Sequence, residues 1–212
     1  MIEAPIRESF YDGILTLQFA RPKERNTLSA ETLKLFEEIL TRAQNDDSIR
    51  RMILTGTDDV FLSGANIREL SKLNRDEAQA FSRKGQTLAT ALATLPFPTV
   101  AAINGYCMGG GLDFALACDL RIASANAVFS HPGARLGIIT GWGGTQRLPR
   151  IIGRAKALEL FATARRFSSD EALKMGLVTQ IADPVLDAAK NLVTTSSKTS
   201  QFPSGNPLSS AQ

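Results

Sequence analysis

The chain has 212 residues, 43% hydrophobic and 21% charged, and its 24 Lys+Arg against 21 Asp+Glu give a net charge of +3. That is the composition of one ordinary globular domain, able to bury roughly 70% of its unfolded surface without disulfide or metal staples. Two cysteines, Cys107 and Cys118, with a single histidine, His131, are too few for a closed zinc site, and no apolar run approaches the roughly 18 residues of a membrane span.

The opening segment, Met1 to Glu8, has neither a basic stretch leading into an apolar run nor an Arg/Ser-rich transit pattern, so a cytoplasmic location is the expectation. Both cysteines lie in apolar surroundings without CxxC spacing and read as small buried side chains in a reducing compartment.

Ile14 to Phe19 alternates apolar and polar residues, which predicts a strand with one buried face, followed by the polar loop Arg21 to Asn26. Ser29 has the character of an N-cap. Leu33, Phe36, Leu40 and Ala43 then recur at helical spacing and predict an amphipathic helix over 30–44. Arg51 to Leu54 is a short apolar strand running into the turn cluster Gly56 to Asp59, with a helix start expected at Ile67. A further helix is predicted from Asp76 to about Leu95, stopped by Pro96 and Pro98. Thr99 to Ile103, apolar and partly β-branched, predicts a strand buried on both faces.

After Asn104 to Asp113 comes a helical stretch, Phe114 to Ala117, then strands at Leu120 to Ala123 and Val128 to Ser130. Gly141 to Thr145 introduces a helix carrying Gln146, Arg147 and Leu148. Ser168 with Glu171 three residues on is a capping box for a short helix closed by Gly176, and Val178 to Ile181 predicts a late strand. A weak helix is expected from Asp183 to Val193. Residues 1–193 thus form the core, while 194–212, rich in Ser and Thr, predict a disordered tail. Short strands alternating with helices argue for an α/β layer fold.

Basic residues gather at Arg147, Arg150, Arg154, Lys156, Arg165 and Arg166, and more sparsely at Arg21, Lys23 and Arg25. A solvated helix face explains the first group better than phosphate binding, and with no aromatics interleaved the pattern does not support a nucleic-acid partner.

Chemistry points to the glycines. Ser63-Gly64-Ala65-Asn66, Gly109-Gly110-Gly111 and Gly141-Trp142-Gly143-Gly144 all sit at expected helix starts, where unpaired N–H groups and the helix dipole favour negative charge. Any one of them reads best as a tight turn. None matches the P-loop or the dinucleotide fingerprint, and no G-x-S-x-G nucleophile elbow occurs. Two such N–H groups converging on one point would make an oxyanion hole for a carbonyl or thioester.

In this order the segments Phe61 to Ile67, Ala102 to Asp113 with Ala117 to Ala123, and Leu136 to Arg150 closely resemble the crotonase superfamily of enoyl-CoA hydratases and isomerases. Arg21 to Leu28 and Ala172 to Val178 also fit, so the resemblance covers about residues 10 to 185. It implies a spiral of repeated ββα units, usually assembled as trimers or hexamers, that stabilises a thioester enolate. Coenzyme A would arrive as part of the substrate, with no separate cofactor and no metal.

By position, the resemblance makes the backbone N–H groups of Ala65 and Gly110 the oxyanion donors. Ala65, Asn66, Ile67 and Arg68 would line the CoA and acyl path, with Arg25 contacting the CoA end. Asn66 stands where the family more often has Asp. Of the two glutamates that hold water and deliver a proton in family hydratases, the first falls on Asp113, shorter by a methylene, and the second on Gly133, which has no side chain. Hydration or double-bond isomerisation of a 2-enoyl-CoA is therefore the expected activity. Alternatives are decarboxylation of a malonyl-type thioester, which forms the enolate without a general base, and a CoA-binding paralogue without turnover. His131, two residues before Gly133, reads as a packing or hydrogen-bonding side chain, reaching the site only if Pro132 does not bend the chain. Tyr106 and Trp142 read as packing beside the pocket. Family members also continue with several helices after the segment at Gly176, of which this chain shows little.

Overall fold

The computed structural model describes residues 4–195. Of the expected disordered tail, residues 194 and 195 close the last helix and the rest lies outside the described residues.

A hairpin of β1 (Ile6–Tyr11) and β2 (Ile14–Phe19) turns through Asp12 and Gly13, both at positive φ, and opens the fold. Helix α1 (Ala30–Ala43) follows, its first turn capped by Ser29, whose hydroxyl accepts from the Thr32 N–H. Leu33, Phe36, Leu40 and Ala43 are all buried, as their spacing requires.

Three ββα turns come next, each placing one strand in a large sheet and the next in a small one before a helix crosses back. The first is β3 (Arg51–Thr55) and β4 (Val60–Leu62), then the single-turn α2 (Ile67–Leu70) and the long α3 (Arg75–Ala93). The second is β5 (Thr99–Ile103), β6 (Tyr106–Met108) and α4 (Gly110–Ala117). The third is β7 (Leu120–Ala123), β8 (Val128–Ser130) and, after a 3-10 turn at Pro132–Leu136, α5 (Gly144–Ile152). Helix α6 (Arg154–Thr163), β9 (Phe167–Ser168), α7 (Ser169–Lys174), β10 (Gln180–Ile181) and α8 (Val185–Thr195) complete the described chain.

The large sheet runs β1-β2-β3-β5-β7-β10 and the small one β4-β6-β8-β9, parallel except for the β1–β2 and β8–β9 pairs. Alternation along the central strands divides the core in two. Met52, Leu54, Ala101 and Ile103 face the interior shared with α1, α3 and α4, while Ile53, Val100, Ala102 and Ile122 face Val185 and Ala189 of α8. That explains why β5 reads as uninterrupted apolar sequence: it is buried on both faces.

Several elements differ from the sequence reading. Strands β4 and β6, three residues each, are too short to show a period, and α4 begins at Gly110 rather than Phe114, its first two residues being glycines that carry no helix signal. Helix α3 starts at Arg75 behind a capping box of Asn74 and Glu77. The late strand is confined to Gln180–Ile181, since Leu177 and Val178 turn into the core and bond back to the Ala172 carbonyl. At α7 Ser168 does cap, accepting from the Glu171 N–H, while the Glu171 carboxylate pairs with Arg165. Both cysteines are buried and free. Among the described residues no helix is long and apolar enough to cross a membrane.

Candidate active site

Strands β4 and β6 each deliver the chain to a glycine-bearing loop ahead of a helix, and β8 does so at Gly141–Gly144 after the 3-10 turn. At the end of β4, Gly64 adopts φ +93, and a Cβ there would stand 2.9 Å from the Met108 carbonyl and 3.0 Å from the Gly110 nitrogen. Only glycine lets the 63–66 loop press so closely on the start of α4. Ala65, the next residue, is therefore held beside Gly110, and both are half-buried. Gly110 is the first residue of α4, so its N–H has no acceptor within the helix. The far end of α4 is closed by the buried Arg121, whose guanidinium donates to the carbonyls of Cys118 and, across to the β10 side, Leu177.

The 64–69 segment is pinned from its other side. Leu28 donates its N–H to the Gly64 carbonyl at 2.9 Å. Asn66 caps α2 through Oδ1 to the Arg68 N–H and donates from Nδ2 to Glu69, which itself accepts from the Ala30 N–H at the head of α1. Asn66 thus spends its side chain on the Arg68 N–H and the Glu69 carboxylate, whereas Ile67 and Arg68 are exposed at the rim.

Arg25 lies in the left-handed region (φ 56) after a 3-10 turn at Pro22–Glu24 and sets its guanidinium 5.3 Å from the centroid of the Tyr106 ring, which Arg166 also approaches at 5.8 Å. The buried Asn26 holds this loop, accepting from the Arg21 N–H and donating to the Val60 carbonyl. Nothing in the sequence pattern singled out Asn26. Tyr106 is accordingly a cation platform as well as a packing residue. The basic cluster is not one solvated helix face: Arg165 pairs with Glu159 and Glu171, Arg166 lies between α6 and β9, and the half-buried Arg147 donates to the carbonyls of Trp142 and Ala89.

Asp113 sits one turn beyond Gly110 on α4 and is only 1% exposed. Thr140 donates its hydroxyl to Oδ2. Oδ1 faces His131 Nε2 at 3.6 Å. Burial pushes the Asp113 acid up to about 7 against the opposing pull of Thr140 and Arg147, and burial alone pushes His131 down to about 4. At neutral pH the pair is therefore a neutral imidazole beside a carboxyl group near its titration midpoint, not a salt bridge. The chain does bend at Pro132, straight into the 3-10 turn, yet His131 reaches Asp113 because the turn begins only after it. Thr140 carried no signal in the sequence at all.

Gly133 lies in that 3-10 turn, and its surroundings are full: a Cβ there would stand 2.6 Å from the Ile138 carbonyl oxygen. The backbone of 138–139 thus occupies the space into which a side chain at 133 would start. Next to it is a cavity of about 270 Å³ lined by His131, Gly133, Ile138, Thr140, Leu158 and Phe161, among others. A larger polar cavity of about 480 Å³ opens over the start of α5 at Thr140 to Gly143, with Arg147 and Arg150 in its wall. Trp142 bounds it as a packing residue, 4% exposed, wedged against Gly85 and Gly110 and stacked on Phe114 with ring centroids 5.4 Å apart.

A family model described as enoyl-CoA hydratase/isomerase matches residues 9–201. Among curated proteins, the chain is 40% identical over 175 residues to a short-chain-enoyl-CoA hydratase of Clostridium acetobutylicum, covering 81% of this chain and 67% of the relative. It is 47% identical over 173 residues to the putative enoyl-CoA hydratase/isomerase YngF of Bacillus subtilis, covering 81% and 66%. The chain thus spans about two thirds of the length of these relatives. A crystal structure of an enoyl-CoA hydratase from Bacillus anthracis superposes with a TM-score of 0.87 at 34% identity, over 90% of this chain and 76% of that one.

Proposed function

Because the chain belongs to the enoyl-CoA hydratase/isomerase family, we propose that it acts on an acyl-CoA thioester and adds water across the double bond of a 2-enoyl-CoA by way of a thioester enolate. The observation that carries the reading is the meeting of three groups. The Gly64–Ala65 backbone is packed on the Gly110 nitrogen, and a buried carboxyl stands one helical turn away.

In this reading the Ala65 and Gly110 N–H groups hold the thioester oxygen, and the positive end of α4 adds to them as the oxygen turns negative. Asp113, held near neutral by burial, supplies the proton that the α-carbon takes up. Arg25 and Arg68, at the rim, meet the phosphates of the CoA moiety, which is part of the substrate. Assembly into trimers or hexamers belongs to the same proposal and is checked by sedimentation of the purified protein.

Purified protein mixed with crotonyl-CoA tests the proposal through loss of the conjugated-enoyl absorbance. Hydration that falls on the order of 10²-fold or more in Asp113→Asn supports it, and CoA binding without any turnover by the wild type refutes it.

The closed space at Gly133 favours a second reading, decarboxylation of a malonyl-type thioester, in which loss of carbon dioxide leaves the enolate directly. Methylmalonyl-CoA assayed beside crotonyl-CoA separates the two by which one is consumed.

A further inference from the structure

Three buried polar atoms at the site, Asp113 Oδ1, His131 Nε2 and His131 Nδ1, make no hydrogen bond to any protein group. A buried polar atom without a partner costs about 1–3 kcal/mol, so three within one contact are a costly arrangement for packing alone. Two of them face each other at 3.6 Å, too far for a good hydrogen bond. His131 also lines the 270 Å³ cavity whose other walls, Ile138, Leu158 and Phe161, are apolar.

We propose that His131 is a catalytic residue of this chain, holding the reacting water against Asp113 and taking its proton, in place of the side chain that Gly133 lacks. This rests on the hydratase reading above. Thr140, bonded to Oδ2, fixes which carboxyl oxygen turns toward the imidazole. Phe161 packs on the imidazole, its ring centroid 5.0 Å from that of His131.

The proton count closes. As the water oxygen forms its bond to C3, the C2=C3 electron pair moves to make the enolate, and the water proton passes to His131 Nε2. The enolate then collapses, taking the Asp113 carboxyl proton at C2. His131, now an imidazolium in a site that disfavours its charge, returns its proton across the 3.6 Å gap to Asp113 Oδ1, and one water has been added. The environments push the two groups in the directions this division needs, the carboxyl toward holding its proton and the imidazole toward losing it. Among the described residues the other titratable groups coupled to Asp113 are Arg147 of α5 and Cys107 of β6.

The test compares hydration of crotonyl-CoA with exchange of the C2 protons of butyryl-CoA in deuterium oxide, a reaction that needs the enolate and Asp113 but no attacking water. His131→Gln and His131→Asn are each expected to lower kcat for hydration on the order of 10²-fold with KM changed less than about threefold, while exchange stays within about threefold of wild type. Asp113→Asn should lose both reactions. Hydration at the wild-type kcat in either histidine variant overturns the inference, as does parallel loss of exchange and hydration, which marks a structural histidine. A wild type that exchanges but does not hydrate overturns the inference and leaves the enolate reading standing. A wild type that does neither overturns both.

Discussion

Gly144 and the Asp113 carboxyl are in such close contact that a Cβ at residue 144 would stand 2.1 Å from Oδ1, with Thr140 Cγ2 at 2.8 Å and His131 Cε1 at 3.1 Å. The third glycine cluster therefore serves a different end from the first two. It lets the start of α5 close against Oδ1 of the acid, fixing Asp113, Thr140 and His131 against one another.

Gly144→Ala should consequently displace the carboxyl rather than merely crowd it. The expected result is a loss of stability of about 1–3 kcal/mol by denaturant unfolding together with a fall in kcat that exceeds any change in KM. A variant with wild-type kcat would show that Asp113 does not need this support.

The two buried titratable groups give opposite pH dependences. Asp113 has its acid raised to about 7 from an ordinary 3.8, so the unfolded chain ionises it first and stability falls as pH rises from about 4 through 7. His131 is lowered to about 4 from 6.5, so its contribution is present above 6.5 and is lost as pH falls toward 4. Asp113→Asn should remove the first slope, making the protein more stable than wild type above pH 7 and leaving only the acid-side loss. His131→Gln should leave the Asp113 slope alone. Unfolding midpoints between pH 4 and 8 read both.

Replacing Gly133 by Glu does not simply restore a carboxylate. The new Cβ would meet the Ile138 carbonyl at 2.6 Å, so the 138–139 backbone must shift before the side chain can enter. A lower melting temperature without a gain in hydration kcat is expected. A gain with unchanged stability would mean the loop yields easily.

Arg121, buried at the end of α4, donates to the carbonyls of Cys118 and Leu177 at 2.6 and 2.8 Å. Arg121→Met keeps much of the bulk but strands these acceptors, and a loss of about 2–4 kcal/mol in unfolding free energy is expected. A near-neutral change would indicate that water replaces the guanidinium.

The family could be read from the chain because its signals are local. Glycines needed at particular backbone conformations, a cap such as Ser29 and a stripe such as Leu33, Phe36 and Leu40 each act within a few residues. The pairing of Gly64 with Gly110 could be inferred only through resemblance, since 46 positions separate them and the contact is between backbones. Short strands such as β4 and β6 escaped for the same reason: three residues carry no period, and it is the neighbouring strand that makes them strands.

What the sequence settled by itself, then, is where α1, α2 and α7 begin, which residues of α1 face inward, and that one carboxylate stands at position 113 while position 133 has no side chain. Only the folded chain decided that Thr140 and His131 flank that carboxylate, that Gly144 closes behind it, and that the Ile138 backbone fills the space at 133. The physical reason is that burial and proton affinity belong to the assembled surroundings. An aspartate and a histidine 18 positions apart carry no mark of the dry contact in which one comes to hold a proton and the other to release it.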